Sequence, residues 1–164
     1  MDCPFGRLAI MPRPRAGDWL DDEMASLRRQ GFDLVVSLLV DEEVRELGLD
    51  AEAEACGRSG LKFIRLPVSD RGVPLSLSDT SRLVCSLVAE LNANRSVAIH
   101  CRIGIGRSAL IAVCVLAGLG VSIEVAWDMV QRSRGLSVPD TPAQRAWPAA
   151  WFADFQRATK HRRL

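Results

Sequence analysis

Ser96–Leu119 reads SVAIHCRIGIGRSALIAVCVLAGL. Its first five residues, Ser96–His100, centre on the apolar, partly β-branched run Val97–Ile99, short enough for a buried strand. Two glycines then punctuate a turn, and Arg107–Leu119 is apolar all round, as a buried helix is. Strand, tight turn and helix in direct succession specify a parallel α/β arrangement, and the flanking sequence repeats the alternation. Upstream, Phe32–Val40 (FDLVVSLLV) and Leu61–Pro67 (LKFIRLP) read as strands, and Arg7–Met11 as a short edge strand ended by Pro12 and Pro14. Trp19, Leu20, Met24 and Leu27 recur at helical spacing behind Asp18, an expected N-cap. Asp41–Leu47 and Asp50–Arg58 are short acidic helical segments. Ser76–Leu91 is amphipathic, with Leu77, Leu83, Val84, Leu87, Val88 and Leu91 as its inner stripe. Downstream, Ser122–Arg134 and Thr141–Arg157 are helical, the second opened by a Thr cap followed by Pro142. The expected fold is α/β, a central mostly parallel sheet of four to five strands flanked by helices.

The chain has 164 residues, 48% apolar and 25% charged, which suits one compact domain over residues 1–164. Residues 1–17 would form an N-terminal strand and extension, and 157–164 a frayed basic tail. Lys and Arg total 21 against 20 Asp and Glu, a net charge of +1. That balance argues against nucleic acid or a membrane surface as a partner held by bulk charge. The longest uncharged apolar run, Ala109–Leu119, is about half of the ~20 residues a bilayer span needs. The first residues lack a secretory pattern, so a soluble cytoplasmic protein is expected, monomeric by default. Five cysteines (Cys3, Cys56, Cys85, Cys101, Cys114) cannot all pair within one chain, and none forms a C-x-x-C. With only two histidines a structural zinc site is not expected. Cys56, Cys85 and Cys114 read as small apolar core residues.

The chemistry concentrates in His100-Cys101-Arg102-Ile103-Gly104-Ile105-Gly106-Arg107-Ser108. Backbone N–H groups in a glycine-assisted turn converge as a nest, and the next helix adds its N-terminal dipole. An oxyanion of phosphate size fits there. Arg107, six residues after Cys101, returns to the rim of the loop with a guanidinium fork for two oxygens. The same field favours a Cys101 thiolate, so its thiol is expected to ionise well below ~8.5 and to lie in line with a bound phosphorus. Among the five cysteines only Cys101 has arginine at this offset.

HCRIGIGRS resembles the signature loop of the cysteine-dependent protein tyrosine phosphatase superfamily, and about Phe32–Phe155 resembles small bacterial dual-specificity-like members, related to the kinase-associated phosphatase group. The resemblance implies a phosphatase sandwich fold and a phosphocysteine intermediate at Cys101, without metal or cofactor. It makes Arg102, Ile103, Gly104, Ile105 and Gly106, with Arg107, the phosphate-binding loop. Ser108 would stabilise the thiolate, and His100 would order the loop. The family's general acid stands about thirty residues before the cysteine. Asp70, 31 residues before Cys101 in a glycine- and proline-bounded loop, is the expected acid, with Asp79 its competitor. Gln144 resembles a late glutamine that orients the hydrolytic water in some relatives; an exposed residue in a first helical turn is the alternative.

There is no tyrosine for an aromatic substrate loop and no Trp-Pro-Asp around the acid, so a shallower pocket is expected. The substrate is then a phosphorylated protein, on tyrosine or on serine and threonine, or a small phosphomonoester. Ile103 and Ile105 stand where lipid-phosphate members often carry lysine. The rivals are a rhodanese-like sulfurtransferase, an arsenate reductase and a phosphate-binding module. Arg13, Arg15 and Arg71 read as solvated surface, and Trp147, Trp151, Phe152 and Phe155 as helix packing. A redox role for a second cysteine is a further expectation, though Cys114 lies two turns down its helix, roughly 10 Å away, too far to pair without movement.

Overall fold

The computed structural model describes Met1 and residues 6–161, the side chains of 159–161 excepted. Cys3 and the end of the basic tail lie outside the described residues. The elements are β1 (Leu8–Met11), α1 (Leu20–Arg29), β2 (Leu34–Ser37), α2 (Asp41–Glu46), α3 (Glu52–Arg58), β3 (Lys62–Arg65), α4 (Leu77–Asn92), β4 (Val97–His100), α5 (Arg107–Gly118), α6 (Ile123–Arg134) and α7 (Pro142–His161). The four strands form one parallel sheet in the order β1-β4-β2-β3.

Period-two alternation sorts each strand between two cores. Leu8, Ile10, Leu34, Val36, Val97 and Ile99 face a core shared with α4–α7, whereas Val35 and Ala98 face one shared with α1 and α3. Helix α5 explains its own composition: every residue from Arg107 to Ala117 is buried. It lies against β1, β4, α4, α6 and α7. The aromatic cluster of α7 packs as expected, with Trp151 fully buried, stacked on Phe155 at 4.9 Å and donating from Nε1 to Ser81 Oγ at 3.1 Å.

The register decides where function can sit. Met11 pairs with His100, His100 with Ser37, and Ser37 with Arg65, so all four strands end level. The segments after them emerge along one edge, the carboxyl end of a parallel sheet, where such folds place their ligands.

Four local expectations are corrected. Asp18 does not cap α1: a 3-10 turn over Gly17–Trp19 precedes it, and Trp19 is exposed beneath the Arg15 guanidinium at 4.6 Å rather than in the inner stripe. Leu77 is exposed, and the stripe of α4 takes Thr80 instead, whose hydroxyl donates to the Ser76 carbonyl. Cys85 lies on the outer face of α4 and is exposed. Helix α7 continues past Arg157 to His161. Among the described residues no helix is long and apolar enough to cross a membrane.

Because α5 is enclosed on all sides, truncation at its centre leaves a cavity that little can fill. Leu110→Ala is expected to cost about 2–5 kcal/mol in urea unfolding; a cost under 1 kcal/mol would mean that α5 is not the enclosed centre of the core.

Candidate active site

Between β4 and α5, residues 101–106 form a tight bend with the Cys101 side chain buried at its floor. Gly104 N–H points at Cys101 Sγ at 3.3 Å, and Ser108 Oγ lies 3.4 Å from the same sulfur. Gly104 has φ +71, and a Cβ there would come within 2.7 Å of the Met11 carbonyl. The bend can therefore pass beneath the chain leaving β1 only as glycine. Two further contacts pin its outer side: Arg13 N–H donates to the Arg102 carbonyl at 3.2 Å, and Arg134 Nη2 to the Ile103 carbonyl at 3.4 Å. The first N–H groups of α5 have no acceptor within the helix and open toward the same bend. Such a cradle can hold a tetrahedral oxyanion above the sulfur.

Arg107 is not at the rim. Its side chain is 2% exposed, and Glu43 of α2 receives its end-on fork, Nη1 to Oε2 at 2.6 Å and Nη2 to Oε1 at 2.9 Å. Nη1 also donates to the Val68 carbonyl at 2.9 Å, and Nη2 to Asp70 Oδ1 at 3.1 Å. Of five N–H groups, four are thus satisfied, and only Nε–H has no acceptor among the described residues. An anion above Cys101 can take the Nε–Nη2 edge once Asp70 lets go. Burial opposes charge on Arg107, but the Glu43 hydrogen bonds and the Cys101, Glu43 and Asp70 charges outweigh it and raise its pKa. Burial likewise pushes the Glu43 carboxyl up, yet its bonds to Arg107 hold it below the ordinary carboxylate value.

Asp70 rides on the segment after β3. Leu66 N–H donates to the Ser37 carbonyl and Val68 N–H to the Leu38 carbonyl, so the base of that loop is fixed. Beyond Val68 it is exposed, with Arg71 at φ 55 and the Asp70 side chain 61% accessible. Asp79 lies in the first turn of α4, paired with Arg82, and its N–H is capped by Ser76.

Gln144 is fully buried, not an exposed first-turn residue. Its Nε2 donates to the Gly72 carbonyl of the Asp70 loop at 2.9 Å, and its side chain lies over Gly106, where a Cβ would meet Oε1 at 2.7 Å. Asp140 Oδ2 crowds the same point. His100 faces away from the cradle, its Nε2 2.8 Å from the buried Glu52 Oε1. Arg102 is tied to Glu46 at 2.6 Å, and Arg15 to Glu23 at 2.6 Å. Ile103 is 52% exposed, and Ile105 is half-buried. Burial raises the Cys56 thiol to about 12 and the Cys114 thiol well above its ordinary value.

Sequence reasoning missed Glu43, Glu52 and Asp140. Glu43 carries one legible sign, its place at the third position of a helix, where it accepts from Val40 N–H at 3.2 Å. Its partner 64 residues away carries none.

An anion cradle with a cysteine floor, at the end of the central strand of a parallel sheet, defines a cysteine-centred phosphatase architecture. A family model described as "Polymorphic toxin system, DSP-PTPase phosphatase" matches residues 9–120. The chain belongs to that family, a branch of the cysteine-dependent protein tyrosine phosphatase superfamily. No curated protein matches it. Among solved structures it is similar to kinase associated phosphatase (TM-score 0.80, 20% identity, 91% of this chain and 87% of that one). It is also similar to Tk-PTP in the active form (0.72, 25%, 93% and 92%) and to PTPMT1 (0.75, 21%, 94% and 95%).

Two predictions follow from burial. Glu43→Ala strands the Arg107 charge and is expected to cost about 3 kcal/mol at pH 7. Because the Glu43 pKa is lowered on folding, its contribution is complete above the ordinary carboxylate range and is lost as pH falls through the folded-state value. The gap between wild type and variant in urea unfolding should therefore narrow on acidification; a gap independent of pH would refute the charge pairing. In the native protein at pH 8, iodoacetamide should modify Cys85 and spare Cys56 and Cys114. Labelling of all three at the unfolded-chain rate would contradict the burial.

Proposed function

We propose that this phosphatase hydrolyses phosphomonoesters through a phosphocysteine at Cys101, with phosphorylated tyrosine or serine and threonine side chains of proteins as substrates. The observation that carries the reading is the convergence of Cys101 Sγ, Gly104 N–H, Ser108 Oγ, Arg107 and Asp70 on one bend. The substrate phosphate enters the cradle, accepts from the loop N–H groups and displaces Asp70 from Arg107 Nη2. The Cys101 thiolate attacks phosphorus; the bond from phosphorus to the leaving oxygen breaks, and Asp70 gives that oxygen its proton. Water then attacks the phosphocysteine, and the sulfur departs as a thiolate accepting from Ser108 and Gly104. The negative charge that builds on the equatorial oxygens is met by Arg107 and backbone dipoles, so the reaction needs no metal.

Substrate class follows from the mouth. Ile103, on the bend itself, is apolar and 52% exposed, and the one cation among residues 102–106, Arg102, is already neutralised by Glu46. This favours a single phosphate on a partly apolar carrier over a polyanion. A phosphoinositide is the second reading, because PTPMT1 has been solved in complex with PI(5)P.

The test is hydrolysis of para-nitrophenyl phosphate in EDTA. Cys101→Ser should abolish turnover. Asp70→Asn should lose about 100-fold on phosphopeptides with poor leaving groups and far less on the nitrophenyl ester. Full activity in Cys101→Ser, or equal losses on both substrates at Asp70, would overturn the mechanism. Greater kcat/KM for PI(5)P than for any phosphopeptide would replace the substrate.

A further inference from the structure

The loop that carries Asp70 is held at both ends. The Val68 carbonyl accepts from Arg107 Nη1 at 2.9 Å, and the Gly72 carbonyl accepts from Gln144 Nε2 at 2.9 Å. Between those anchors Gly72 N–H donates to the Ser69 carbonyl at 2.9 Å, closing a four-residue turn with Asp70 and Arg71 at its centre. Arg71, third in that turn, has φ 55. A positive φ at the third position is ordinarily met by glycine or asparagine.

The backbone does not account for an arginine there. Among the described residues with positive φ, all are glycine except Asn94 and Arg71. Nor does the next residue relieve the turn. Gly72 lies outside the left-handed region and is required for space, since a Cβ on it would sit 3.0 Å from the Ser69 carbonyl oxygen. The loop therefore has a glycine and still places arginine at the strained position. Strain of this kind persists only where surrounding contacts impose it, and it gathers at functional sites.

The side chain offers an unmatched cation. Arg71 is exposed and has neither a carboxylate nor a hydrogen-bond acceptor among the described residues. Its neighbour Asp70 is turned to Arg107 at 3.1 Å, and Arg102 is occupied by Glu46. One Cα step, about 3.8 Å, separates Arg71 from the acid that meets the leaving oxygen. With a phosphate in the bend and its leaving oxygen at Asp70, the residues beside the phosphorylated side chain come within reach of this tip. A guanidinium fork matches the two oxygens of a carboxylate. One free cation meets one acidic side chain and is no site for a polyanion.

We propose that Arg71 is a specificity-determining residue that selects protein substrates with an aspartate or glutamate beside the phosphorylated residue. The inference rests on the protein-substrate reading above and narrows it.

The experiment is steady-state phosphate release from tyrosine- and serine-phosphorylated peptides whose flanking residues are glutamate, alanine or lysine, at low and high salt. Wild type should favour the glutamate peptides over the alanine peptides about five-fold in kcat/KM, the size of one exposed ion pair. The difference should lie in KM and shrink at high salt. Arg71→Asn, which suits the same backbone, should lose the preference while unfolding at the same or a higher urea concentration. Arg71→Lys should keep part of the preference, and Arg71→Glu should turn it toward lysine. Equal kcat/KM for glutamate and alanine peptides in wild type, or an undiminished preference in Arg71→Asn, would overturn the proposal. So would a lost preference accompanied by a lowered urea midpoint, which would assign Arg71 to holding the loop. Turnover of PI(5)P and of no phosphopeptide would overturn the protein-substrate reading and this inference together, a result distinct from the others.

Discussion

A guanidinium buried to 2% exposure is the constraint on which the site depends. Every unmet N–H of such a group would cost free energy. The fold supplies four acceptors: two oxygens of Glu43, the Val68 carbonyl and Asp70. That requirement ties together elements otherwise distant in the chain. It seats α2 over the start of α5, and it brings the base of the loop after β3 against the same cation. Lysine, with its compact ammonium and no fork, could not satisfy both carboxylate oxygens and a carbonyl while keeping an edge free. The end-on geometry has a functional corollary. Glu43 grips the two terminal nitrogens, which aims the Nε–Nη2 edge at the cradle, and the single bond that must be exchanged there is the one to the most exposed partner.

The level ends of the strands then separate an enclosed half of the site from an exposed half. Cys101 follows β4, which is paired on both sides, and leads into α5, the enclosed helix of the core. The sulfur and its cradle are accordingly fixed. Asp70 follows β3, an edge strand, and stands beyond Val68 with 61% of its side chain in solvent. The link between the halves is Gln144, which crosses from the start of α7 to the Gly72 carbonyl while resting on Gly106. A side chain in that position registers the Asp70 loop against the bend after β4 without belonging to either.

What could be read from sequence and what could not divide along the range of the interactions. The strand–turn–helix around Cys101 is local: apolar run, glycines, arginine and helix start lie within one stretch, and the parallel sheet with its flanking helices follows from repeating that pattern. The exposed loop that carries Asp70 was legible from its turn residues, whereas Asp70 itself was singled out by its distance of 31 residues from Cys101 in the resembling family. Glu43 was not, since a glutamate early in an acidic helix has an ordinary explanation as a cap and the buried cation it serves lies 64 residues away. The place of Asp140 against Gly106 was hidden the same way, inside a segment whose Pro and Thr announce only a helix start. Leu77, Cys85 and Trp19 failed for the opposite reason. Their apolar character suggested burial, but apolar residues also populate surfaces, and helix phase relative to the sheet decides which face is covered.

The charge layout around the cradle bears on what the site can accept. An acidic helix beside an anion site looks contradictory until each carboxylate is traced to its cation: Asp41 to Arg65 at 2.7 Å, Glu42 to Arg45 at 3.6 Å, Glu43 to Arg107 and Glu46 to Arg102. Paired in this way, α2 contributes little net field, and the attraction for phosphate is left to backbone dipoles and one edge of Arg107. Those donors converge on a space the size of one tetrahedral anion. At the bend itself a second phosphate on the same substrate would meet Ile103 and the already neutralised Arg102. The near-zero net charge of the chain is consistent with that economy, because attraction confined to the cradle selects a phosphate by fit, whereas a wide positive field would select by charge alone.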